Sequence, residues 1–236
     1  MKIINKRVTI VTNLILVGII FVVGVISFFP EHILPIYGKN VQGAIYRGNE
    51  ENNCVSLMFN VYENTEIVNS IVDVLDEHGV KATFFVGGCW ADDNGETLNK
   101  IKNSGHEIGN HGYFHKDHKK LSYQDNASEI TNTTTVVNAL CGAKVTLFAP
   151  PSGSFSDVTL KAAQDLGYKV IMWSKDTIDW RDSDIKTIIA RATKKPNNGD
   201  LILMHPKEHT LSALSDIIGF YKEQGFNLVS VSDNVK

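Results

Sequence analysis

The stretch Cys54–Gly88, "CVSLMFNVYENTEIVNSIVDVLDEHGVKATFFVGG", reads as a strand, a helix and a second strand. "CVSLMF" is a short apolar run suited to a buried strand. After it, Ile67, Ile71, Val74 and Leu75 recur at helical spacing until Gly79, a helix stop. "KATFFVGG" then returns to strand character. Two strands joined by a helix imply parallel pairing through a right-handed crossover.

The pattern continues to the end of the chain. "GETLNKIKNSG" is expected as a helix, "HEIGNHG" as the end of a strand, and "SYQDNASEITNTTTVVNAL" as a helix despite its threonines. "KVTLFAPPSG", "YKVIMWS", "DLILMH" and "FNLVSV" read as four further strands, separated by helices over 157–166, 184–194 and 210–224. About seven strand–helix units in roughly 185 residues fit an α/β fold of the distorted, incomplete (β/α)7 barrel type. Chemistry in such barrels sits at the carboxyl ends of the strands. That rule singles out Asn60, His111, Pro150, Asp176 and His205.

Ahead of this domain, residues 30–52 carry prolines and glycines without periodicity and read as a linker, which gives a domain over 53–236. At the start, Lys2, Lys6 and Arg7 precede "VTIVTNLILVGIIFVVGVISFF", Val8–Phe29, which holds no charge. A helix over 8–29 would reach roughly 33 Å, enough for a hydrocarbon core of about 30 Å. The run exceeds a signal peptide's apolar region and lacks an A-x-A cleavage pattern, so a single membrane anchor over 1–29 is expected. The basic start would stay in the cytoplasm, placing the domain on the extracytoplasmic side of the cell membrane.

With 236 residues and a net charge of −3, the chain has no electrostatic footprint for nucleic acid. There is no phosphate-binding glycine loop and no nucleophile elbow. The three cysteines, Cys54, Cys89 and Cys141, match no zinc spacing and suit small buried positions. His111 and His115 stand four apart, which on a helical turn would align both imidazoles towards a metal and on a surface loop would mean nothing. Asp117 and His118 follow with the same ambiguity. His205, closing an apolar strand, suits either a satisfied core position or an acid aimed into the barrel mouth.

Taken together, five segments resemble the polysaccharide deacetylases of carbohydrate esterase family 4, the NodB homology domain. "LMFNVYENT" stands where that family has T-F-D-D-G, followed by "VKATFFVGG" for V-K-A-T-F-F-V-x-G. "EIGNHGYFH" stands for the H-[ST]-x-x-H segment, "LFAPPSG" for F-R-P-P-Y-G, "WSKDTIDW" for D-x-x-D-W and "LILMH" for L-x-L-x-H. "NHGYFHK" is similar to the sporulation-associated members, which also carry an N-terminal anchor.

The resemblance implies metal-assisted N-deacetylation of N-acetylated polysaccharide or peptidoglycan, with zinc or cobalt as the divalent ion. It implies His111 and His115 as metal ligands, His205 as the general acid and Asp179 as its partner. Trp180 and Leu203 would line the acetyl pocket with Asp176 nearby, and Ser152 would offer an N–H to the oxyanion. Four positions depart from the pattern. The base is Asn60, which has no basic site near neutral pH; the metal carboxylate is Val61; the arginine that pairs with the base is Ala149; and Gly112 replaces a Ser/Thr. Glu63 is a candidate replacement ligand or base, or simply an acidic residue ahead of the following helix; Asp117 and His118 are candidate third ligands. Two functions follow as expectations: a membrane-anchored deacetylase with impaired catalysis, or an inactive relative that binds glycan or protein.

Overall fold

The computed structural model describes residues 12–18 and 43–236. Residues 12–18 are helical. The remainder of the span expected over 8–29 lies outside the described residues, and among those described no helix is long and apolar enough to cross a membrane.

Within the unit Val41–Lys236, one sheet holds β1 (Cys54–Val61), β2 (Thr83–Val86), β3 (Glu107–Asn110), β4 (Leu147–Phe148), β5 (Lys169–Val170), β6 (Lys175–Asp176), β7 (Leu201–Met204) and β8 (Asn227–Leu228). The order is β5-β4-β3-β2-β1-β7-β6, with β8 paired to the start of β1. Every pairing is parallel. The architecture is therefore an α/β fold built on a distorted, open parallel half-barrel, as the alternating elements required.

Among the described residues, eight helices connect or flank the strands: α1 (Thr65–Glu77), α2 (Gly88–Asp93), α3 (Gly95–Asn103), α4 (Tyr123–Cys141), α5 (Asp157–Asp165), α6 (Ile185–Thr193), α7 (Glu208–Glu223) and α8 (Val231–Asn234). Caps explain why polar sequences become helices here. In α4 the Ser122 side chain accepts from the Asp125 N–H, and Gly142 ends the helix in the left-handed region. Its threonines are tolerated because Asn126, Ile130, Thr133 and Val137 recur on one buried face. In α5, Ser156 and Thr159 form a reciprocal cap.

One strand, β6, lies beyond the expected set. "YKVIMWS" gives only β5, on β4; the chain then leaves that edge and rejoins the sheet as β6, on β7, at the opposite edge. Part of the segment read as linker covers this crossing. The Ile45 N–H donates to the Val170 carbonyl, the Ile45 carbonyl accepts from Met172, and the Gly48 N–H donates to Gly199. Arg47 meets the fully buried Asp200 at 2.7 Å, and Asp200 also accepts from Ser174 Oγ and the Asn197 N–H. The domain thus begins ahead of residue 53, and the linker's residues before 43 lie outside those described. All three cysteines are unpaired.

His106, just ahead of β3, is buried with its ring 5.6 Å from Phe84 and its Nδ1 accepting the Ala82 N–H. Burial pushes its pKa down from 6.5 to about 4, against a smaller opposing pull from Asp76. Below 6.5 the unfolded chain binds a proton that the folded chain refuses, so stability falls as pH drops from 6.5 to about 4. The loss from this residue should be about 3 kcal/mol. His106→Asn, which keeps an acceptor for Ala82, should flatten that limb in urea unfolding measured above and below this window.

Candidate functional site

The pleat of β1 sends successive side chains to opposite faces. Val55, Leu57, Phe59 and Val61 pack in the layer between sheet and helices, with Val68, Ile71 and Leu214. Met58 packs inside the barrel with Phe85, Ala149 and Leu203. Asn60, two residues on, shares the face of Met58 and lines a cavity of ≈ 530 Å³ at the carboxyl ends of the strands. Val61 is fully buried in the helix-facing layer.

The same cavity gathers Glu63, His111, His115, Ser152, Asp176, Trp180, Leu203 and His205. The sequence motifs point to all of these; Tyr62, Trp173, Pro206 and Lys207 join them without such a signal. Asp179 sits behind His205 rather than on the wall. Its Oδ1 accepts from His205 Nδ1 at 2.7 Å, and its Oδ2 accepts from the His205 N–H and Thr210 Oγ, each at 2.7 Å. His209 Nε2 donates to the Asp179 carbonyl. Burial opposes ionisation of Asp179, but the bonds from His205 and Thr210 outweigh it and hold its pKa below the usual carboxylate value. With Nδ1 carrying the proton to Asp179, His205 has Nε2 free for another partner.

His111 and His115 meet without a helical turn. Residues 111–117 form an irregular loop in which Gly112 (φ 73°) and His115 (φ 53°) are left-handed, and the two rings lie 5.1 Å apart. Gly112 is required at this point, since a Cβ there would come within 2.9 Å of His118 Nε2. Glu129 of α4, nearly buried, accepts from the N–H groups of Tyr113 and Phe114 and pairs with Lys116, fastening the loop. A signal for Glu129 existed in the sequence: it falls on the buried face of α4, where an acid needs partners. His111 Nδ1 donates to the Ala149 carbonyl at 2.7 Å, leaving Nε2 as a lone pair. Burial, then the neighbouring His115, push the His111 pKa down to about 3, and burial lowers that of His115.

A divalent metal needs more than this pair. Glu63 lines the cavity but its carboxylate is tied to Lys207. Asp117 accepts from Ser154 and pairs with Lys120, while His118 is fully buried with Nδ1 bonded to Asn126. Neither lines the cavity. Among the described residues no three His, Cys, Asp or Glu side chains converge as a metal site. Two neutral imidazoles without a carboxylate do not fit a divalent ion, which in catalytic zinc sites usually has three protein ligands.

Residues 47–171 match the family model described as polysaccharide deacetylase. The chain belongs to the polysaccharide deacetylase family. It is 36% identical over 189 residues to the uncharacterized protein YlxY of Bacillus subtilis, covering 80% of this chain and 59% of that protein's length. It is 31% identical to the peptidoglycan-N-acetylmuramic acid deacetylase PdaA of the same organism, covering 86% and 81% of the two chains. Among solved structures it is similar to a family 4 carbohydrate esterase pseudoenzyme from Bacillus anthracis, at 36% identity and a TM-score of 0.80, over 82% of this chain and 69% of the other.

The position of Val61 is testable on its own. Val61→Asp should place a carboxylate in the apolar layer and lower stability by about 3 kcal/mol or more in urea unfolding. A variant as stable as wild type would mean that residue 61 turns into the cavity instead.

Proposed function

We propose that this chain recognises N-acetylated glycan of the cell wall, of the peptidoglycan class, in the cavity of a polysaccharide deacetylase domain whose own hydrolytic step is impaired or absent. One observation carries the reading: a complete acid side faces a base side without a carboxylate. On the acid side, buried Asp179 orients His205 through two 2.7 Å bonds, and Trp180 and Leu203 line the same cavity. His205 is the group placed to hold or donate a proton at a leaving amine through Nε2. Ser152, left-handed at φ 54°, lines the same cavity, and its N–H is the donor this reading assigns to the oxyanion.

On the other side Asn60 has no basic site to take a proton from water. The loss of a general base alone is worth about 10²–10⁴ in rate. Ala149 belongs to the same change: an arginine there would be a buried cation with no carboxylate at residue 60 to pair with. The likeness to a family pseudoenzyme supports this reading. Residual deacetylation is the second reading, favoured by the intact His205–Asp179 pair.

We further propose that the chain is held at the cell membrane through 8–29 with the domain outside. The charge-free run behind a basic start supports this. The segment "NHGYFHK" supports a sporulation-associated role.

Acetate release from N-acetylglucosamine oligomers and cell-wall glycan tests the reading. The full chain, with zinc or cobalt in excess, should stay at background. An Asn60→Asp, Ala149→Arg double variant, which restores a base and its arginine without placing a carboxylate in the apolar layer, should release more acetate than the natural chain. Release well above background by the natural chain would overturn impaired catalysis in favour of the second reading.

A further inference from the structure

Among the described non-glycine residues with positive φ, Ile178 (φ 56°) is the one whose side chain branches at Cβ. A branched Cβ is the hardest to seat in the left-handed region, where it crowds the following carbonyl oxygen. Such a conformation persists only where the surroundings force it. Its place in the chain gives it weight: Ile178 immediately precedes Asp179, the carboxylate that orients His205.

The residues on either side are anchored independently. Thr177, fully buried, is held on β7: its N–H and its Oγ1 donate to the Leu203 carbonyl at 3.3 and 2.8 Å. Its own carbonyl accepts from Arg191 of α6. Asp179 is held on α7, where its carbonyl accepts from His209 and its carboxylate from Thr210. The turn between these anchors falls on Ile178. The Ile178 carbonyl accepts from the N–H groups of Arg181 and Asp182. Its N–H donates to Asp176 Oδ1 at 2.8 Å, and this is the bond that a side chain supplies.

We propose that Asp176 is a positioning residue: by capping the Ile178 N–H, its carboxylate oxygen holds the left-handed turn that delivers Asp179 to His205. Asp176 lines the cavity, yet its role here is that of an acceptor for the backbone and not of a charge offered to a ligand. A short polar side chain bonded to the N–H two residues on is a recurrent way to fix a turn. Without it the half-buried Ile178 N–H loses its partner, which is costly, and the branched residue relaxes towards negative φ. A rotation of that size redirects the chain after it. Asp179 then leaves His205, and the imidazole loses the group that fixes its Nδ1 proton. The proposal rests on the reading above in treating His205 as the functional group of the acid side.

Nitrogen NMR of the full chain, isotopically labelled at histidine, reads the His205 tautomer without any ligand; its signals are identified by their loss in His205→Gln. Wild type should show His205 protonated at Nδ1. Asp176→Ala should lose this fixed tautomer for the exchanging mixture of a mobile ring. Asp176→Asn, whose Oδ1 still accepts the Ile178 N–H but carries no charge, should keep the wild-type signature. Glycine occupies the left-handed region freely, so the Ile178→Gly, Asp176→Ala double variant should recover what Asp176→Ala loses. Should Asp176→Ala fail to fold, recovery of both folding and the signature by the double variant is the expected result. Loss of the signature in Asp176→Asn would overturn the proposal, because the charge would then be what matters. A wild-type signature in Asp176→Ala, or no recovery in the double variant, would overturn it as well. No glycan is present, so these outcomes leave the glycan reading in place, and background acetate release tests that reading separately.

Discussion

The pleat of β1 is the constraint on which the site depends. This strand is paired on both sides and again at its start, so it cannot slip without disturbing β2, β7 and β8 together. A one-residue slip would turn Leu57, Phe59 and Val61 into the barrel and Met58 and Asn60 out of it. The register therefore delivers one polar side chain, Asn60, to the barrel mouth and commits Val61 to the apolar layer.

The two sides of the cavity differ in how their polar groups are satisfied. On one side a buried carboxylate, Asp179, receives bonds from His205 and Thr210, and such charge-assisted networks are rigid when complete. On the other, two imidazoles are held uncharged by burial and Asn60 keeps an acceptor without a donor. Membership of the polysaccharide deacetylase family explains the common plan. The contrast between the sides motivates reading this member as a glycan-recognising protein with impaired hydrolysis.

Loops and straps hold this asymmetry in place. The His111–Asp117 loop owes its shape to two left-handed residues and to Glu129 bonded to its backbone. The open side of the half-barrel is crossed by residues 45–48, with Arg47 closing on buried Asp200. Each device joins residues far apart in the chain, which is why neither could be read from local pattern.

Periodicity and punctuation alone determined the parallel α/β architecture, because apolar spacing and glycine stops are local properties of the chain. The motifs also named most of the cavity wall, since strand ends in such a fold must converge. Local pattern did not show β6, because the pairing of two residues with the opposite edge of the sheet is a long-range choice. Nor did it locate Thr210, His209 or Glu129, whose roles arise from partners 15 to 31 residues distant. The tertiary structure alone decided that Glu63 pairs with Lys207, that His118 is enclosed, and that Val61 faces the helices. Those outcomes follow from packing, where a side chain's direction is set by its neighbours and not by its place in a motif.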